Sequence, residues 1–170
     1  MKKTILLTAL SLCCAGIGFA AQGLTADEQA FIQKAAKSDE TEISLSKLAL
    51  EKSTAPQIKQ FAQMMVTDHT KSTSLLKPIA ATHNVAIPAT PGPANEAKYK
   101  TLQKTSGAKF DAAYIKLMVT DHESTLQAFQ NASGKVHDPK LKEFIATVQP
   151  IVTHHLEMAK QLQQSGKKAT

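Results

Sequence analysis

Apolar and small residues recur at alternating steps of four and three along four long stretches of the chain. The first stretch carries Phe31, Ala35, Ser38, Glu42, Leu45 and Ala49. The second carries Ile58, Ala62, Met65, His69, Ser72, Leu76, Ile79 and His83. The third reads Ile115, Met118, His122, Thr125, Phe129 and Ala132, and the fourth Leu141, Ile145, Val148, Val152, His155, Ala159 and Leu162. This spacing puts each set on one face of an α-helix, as in a bundle seam. Start and stop signals agree with it. Thr25 to Glu28 spells a capping box, and Ser53-Thr54-Ala55-Pro56 ends one helix and opens the next. Gly134 is a stop, and Asp138-Pro139 is an N-cap followed by a first-turn proline.

Proline marks the interruptions. Pro78 is expected to kink or end the second helix near Lys77, and Pro150 to bend the fourth. Residues 84–95 hold Pro88, Pro91, Gly92 and Pro93 and are expected to form a loop. Extended, such a segment reaches ~40 Å at about 3.3 Å per residue, enough to cross a bundle from end to end. A short helix is expected over Glu96–Lys104, and the third long helix from about Lys109 to Ser133. Beyond Gln163 the polar tail is expected to fray. Alternating runs of β-branched residues are absent, so the fold class is all-α, a four-helix bundle.

The first residues change the picture of where this bundle works. Met1-Lys2-Lys3 precedes an apolar run from Ile5 to Ala21, with Gly18-Phe19-Ala20 at its end. That is the grammar of a cleavable signal peptide, cut after Ala20. Residues 1–20 are therefore read as signal and 21–170 as the bundle domain, periplasmic or secreted, with no integral membrane span once the signal is gone. Both cysteines, Cys13 and Cys14, fall inside the signal, and Leu12 stands where a lipoprotein signal wants a small residue. The mature chain has no disulfide and no thiolate.

Removing Lys2 and Lys3 lowers the formal charge from +6 to +4. The lysines are scattered, aromatic residues make up 5% of the chain and Trp is absent, so a nucleic-acid partner is not expected. Cysteine in the mature chain and a Gly-x-Ser-x-Gly turn are absent too, so nucleophilic acyl transfer has no visible machinery, and no glycine-rich phosphate loop is present.

One motif stands apart. Met65-Val66-Thr67-Asp68-His69 recurs as Met118-Val119-Thr120-Asp121-His122, 53 residues later, and suggests one unit used twice. Each copy aims a thioether and an imidazole from one helix face. Each seam carries one ligand-type residue: Glu42, His69, His122 and His155. At about 1.5 Å per residue the four fall in one middle slab of the bundle. Burying a lone carboxylate or a charged imidazole is costly; gathering them relieves both costs, through hydrogen bonds or a metal. One carboxylate and three imidazoles suit zinc, iron, copper or nickel. Asp68 and Asp121 are placed to orient an imidazole on a neighbouring helix. Met65, Met118 and Met158 each stand four residues from a histidine, a pairing that suits copper(I), although methionine at this spacing also fills cores. His83 and His137 lie near loops and are expected to be solvated, and His154 sits one step off the seam. The alternative is a metal-free envelope interaction or structural module, with an envelope protein or a second copy of the chain as partner.

Taken together, four features identify a resemblance. They are Glu42; Phe61-Ala62-x-x-Met65-Val66-x-Asp68-His69; Phe110-Asp111-x-x-Tyr114 leading to Asp121-His122; and Pro150-x-x-x-x-His155-Leu156-x-x-Ala159. From about Asp27 to Leu162 the chain resembles the exported bacterial domain-of-unknown-function family 4142. The resemblance implies a ferritin-like four-helix bundle outside the cytoplasm and brings no settled activity with it. Ferritin-like di-iron sites use Glu-x-x-His pairs. Here Val66, Val119 and Val152 stand three residues before His69, His122 and His155, so a carboxylate-bridged di-iron centre is not expected. A single-metal, His-rich site in metal handling or envelope stress protection is. If the protein is an enzyme at all, it is expected to be a metal-dependent redox protein.

Overall fold

The computed structural model describes residues 23–88 and 90–168, with side chains as far as residue 166. The expected signal peptide, residues 1–20, lies outside them. The described residues form five α-helices and no strand: α1 Ala26–Lys52, α2 Pro56–Thr82, α3 Pro93–Gln103, α4 Gly107–Ser133 and α5 Pro139–Lys168. None is long and apolar enough to cross a membrane.

The helix starts follow local chemistry. Thr25 caps α1: its hydroxyl accepts from the Glu28 N–H at 3.2 Å, and its own N–H donates to Glu28 Oε2 at 2.8 Å. Asp138 caps α5 by accepting from the Leu141 N–H at 2.8 Å. Pro56 and Pro93 occupy first turns, where a missing N–H costs nothing. Gly92, just before α3, takes φ +84°, a conformation glycine adopts without strain.

Neither inner proline ends its helix. Pro78 lies inside α2, which runs on to Thr82, and Pro150 lies inside α5. Both prolines are exposed, so the carbonyls they leave unbonded can turn to water. α5 also continues past Gln163, as far as Lys168. The short helix begins at Pro93 and α4 at Gly107, a few residues earlier than the pattern suggests.

The four long helices pack in a square in which α1 touches α2 and α4, and α5 touches the same two. The start of α1, the ends of α2 and α4 and the start of α5 share one apolar cluster, with Phe31, Leu76, Phe129 and Phe144 in it. The end of α1, the starts of α2 and α4 and the end of α5 share the other, with Leu45, Phe61, Tyr114 and Ala159. Hence α1 and α5 run one way, and α2 and α4 run the other. The chain must return the length of the bundle between α2 and α4. The proline-rich loop and α3 do so, α3 lying against α1 and α4.

The repeated pentapeptide therefore sits on two parallel helices at opposite corners. It is on the second helix of the α1–α2 hairpin but on the first of the α4–α5 hairpin, so it is a shared local motif and not a duplicated hairpin. Between the two apolar clusters lies a polar belt, in which Asp39, Glu42, His69, Ser72, Thr73, His122 and His155 are all buried.

Candidate metal centre

The belt gathers three imidazoles. His69 on α2, His122 on α4 and His155 on α5 have ring centroids 5.4–5.6 Å apart, and none is more than 4% exposed. One ring nitrogen from each lies within 4.8 Å of one from each of the others. Every ring has one nitrogen held and one without a partner. His69 shares a 2.8 Å hydrogen bond from Nδ1 to Asp39 Oδ1, and Thr73 Oγ1 donates to Asp39 Oδ2 at 3.1 Å. His122 Nδ1 donates to the Met118 carbonyl one turn back, at 2.8 Å. His155 Nε2 pairs with Asp68 Oδ2 at 2.9 Å. The buried nitrogens left over are Nε2 of His69, Nε2 of His122 and Nδ1 of His155. Buried polar atoms normally find partners, so three orphans in one place mark a ligand-type site.

Glu42 lies in the same belt, 1% exposed, but outside this triangle. Its Oε1 stands 4.0 Å from His122 Nδ1, on the side of the ring held by Met118, and Oε2 has no partner. Burial, with the nearby charge of Asp121, pushes the Glu42 carboxyl well above its ordinary range. Burial also holds the His122 imidazole down at about 3, helped by His69 and His155. It holds His155 at about 4, helped by His69 and partly opposed by Asp68. His122 and His155 are thus neutral at neutral pH, the form that binds a metal. Three atoms that all lie within 4.8 Å of one another have a point between them no more than about 2.8 Å from any of the three. A zinc–imidazole bond is about 2.0–2.1 Å. Small ring shifts close that gap, so the residues fit a single transition-metal ion.

The two copies of the pentapeptide diverge beside their histidines. Asp68 orients His155 on the neighbouring helix, as expected. Asp121 instead accepts from Lys98 Nζ of α3 at 2.7 Å, because the crossover helix lies over it. Met65 and Met118 are fully buried in the apolar cluster below the belt, with Met158 against it. His154 and His137 are exposed. His83, expected in solvent, is half-buried and shares a 3.1 Å hydrogen bond with Asp138 Oδ2, tying α2 to the start of α5.

The seam pattern does not single out Asp39. It belongs to a second buried stripe on α1, with Ile32, Ala36 and Ser46, and an acid on such a stripe is the signal that could have found it.

The profile of the domain of unknown function family DUF4142 matches residues 18–162. The chain belongs to that family. No curated protein matches it. Among solved structures, the DUF305 fragment from Deinococcus radiodurans aligns at TM-score 0.76 and 11% identity, over 85% of this chain and 99% of that one. CopM in its Cu(I)-bound form aligns at 0.69, and in its Cu(II)-bound form at 0.70, both at 17% identity over 81% of this chain and 96% of theirs. At such identities the likeness is one of fold, and it places this DUF4142 domain among helical bundles.

Proposed function

We propose that this DUF4142 domain is an exported, ferritin-like bundle that binds one transition-metal ion through His69, His122 and His155. Glu42 stands beside His122 as a further donor or proton holder. Its role is metal handling or envelope stress protection, not turnover of an organic substrate. The observation that carries this is the convergence of three buried imidazoles, each fixed from behind and each with one nitrogen left unpartnered. Copper is the first candidate. Three imidazoles accept it readily, and a bundle of this fold holds Cu(I) and Cu(II) in CopM. Zinc and iron follow.

Elemental analysis of the chain, purified without chelating resin and then reloaded, tests this. One equivalent of bound metal is expected, with none in the His69→Ala, His122→Ala double variant while its helical circular dichroism persists. Equal metal content in both proteins would refute the site. A metal-free module is the second reading. It is favoured by the hydrogen bonds that already tie His69 to Asp39 and His155 to Asp68 across helices, and in it the belt serves only to fix helix register. In that case no added metal raises the melting temperature.

A further inference from the structure

We propose that Asp39 and Asp68 make the centre selective for a divalent over a monovalent ion. This rests on the metal-binding function proposed above. What stands behind the three rings is unequal. A carboxylate oxygen holds His69 at 2.8 Å and another holds His155 at 2.9 Å, whereas His122 is held by the neutral Met118 carbonyl.

Three neutral imidazoles bring no charge to a bound ion, and the rings are buried between two apolar clusters. Each carboxylate one hydrogen bond behind a ring attracts a dication twice as strongly as a monocation at the same place. It also draws on the ring N–H and makes the opposite nitrogen a stronger donor, which favours the higher charge again. Asp39 is itself locked, since Thr73 occupies its second oxygen. Asp68 is partly exposed, its side chain retaining 29% of its accessible surface.

An amide in place of each acid separates charge from position. In Asp39→Asn the amide oxygen can accept from the His69 N–H, and the amide nitrogen can donate to Thr73 Oγ1. In Asp68→Asn the oxygen can accept from His155, with the nitrogen toward solvent. The test is competition titration of the full chain with Cu(II) and with Cu(I), and the midpoint potential of the loaded protein.

Each variant is expected to lose about 10–100-fold in Cu(II) affinity, the usual cost of altering a group behind a ligand. The Cu(I) affinity falls less, so that the affinity ratio drops about tenfold and the one-electron potential rises by about 59 mV. Metal-free melting temperatures should stay near wild type. If Asp39→Asn fails to fold, Asp68→Asn carries the test, because its site is half open. Equal losses for both ions, or none, with an unmoved potential, overturn the selectivity while leaving the centre standing. A wild-type chain that takes up neither ion overturns both.

Discussion

At the scale of single residues, the belt separates side chains that keep a polar atom free from side chains that fill. His69, His122 and His155 keep a free nitrogen each; Met65 and Met118 spend their whole length in the apolar cluster next door. The thioether–imidazole pairing visible along the helix therefore does not make the methionines ligands, because a helix shares a face over several turns while a site occupies one level of it. Replacing Met65 or Met118 with Leu nearly conserves volume and should cost less than about 1.5 kcal/mol in denaturant melts. Metal stoichiometry should remain at the wild-type value. A variant that melts normally but no longer takes up Cu(I) would move the thioethers into the centre. Asp68 and Asp121 make the same point from the polar side: identical neighbours in sequence, one bonds an imidazole and the other an ammonium, according to which helix lies across from it.

At the scale of elements, Glu28 joins three pieces. Its Oε2 completes the α1 cap, and its Oε1 accepts from the His137 and Asp138 N–H groups in the turn between α4 and α5, at 2.6 and 3.0 Å. Burial works against its charge, but the backbone donors of Asp138, Thr25 and His137 win and hold the carboxyl at about 2 against an ordinary 4.5. The unfolded chain thus binds more protons than the folded one between those values. The Glu28 contribution is whole above about 4.5 and disappears as the pH falls through about 2. Glu28→Ala should cost about 1–3 kcal/mol at neutral pH, as three backbone donors, of Thr25, His137 and Asp138, lose their acceptor. Melting curves of Glu28→Gln should fall less steeply with acid than those of wild type; parallel curves would show the cap to be indifferent to its charge. The cap is legible in the sequence because both its members lie within one turn, and the seams are legible because helical periodicity is local. The long-range half of Glu28 is not, and neither is Asp39. Asp39 meets His69 only when α1 and α2 have paired, and Lys98 meets Asp121 only because the crossover runs along α4. Such contacts depend on helix rotation and height, which spacing along one helix leaves open.

For the molecule as a whole, the belt lies where the two hairpins meet. α1–α2 supplies His69, and α4–α5 supplies His122 and His155, so an ion bound to all three rings joins one hairpin to the other at mid-height. Without it the belt keeps orphaned nitrogens between two apolar clusters, a buried polar layer that weakens the join. Metal should therefore stabilise the assembly globally and not one helix alone. At a free concentration 100-fold above Kd, linkage gives about 2.7 kcal/mol. For a domain of this size, at roughly 2–4 °C per kcal/mol, that is a rise of about 5–10 °C in Tm over chelator-treated protein. Amide exchange should slow in the middle of α2, α4 and α5 together. In His155→Ala, which leaves two imidazoles facing each other across the hairpins, most of that rise should vanish while the metal-free fold persists. A rise that survives the loss of His155, or protection confined to one hairpin, would place the ion elsewhere than between the hairpins and leave the belt a purely structural layer.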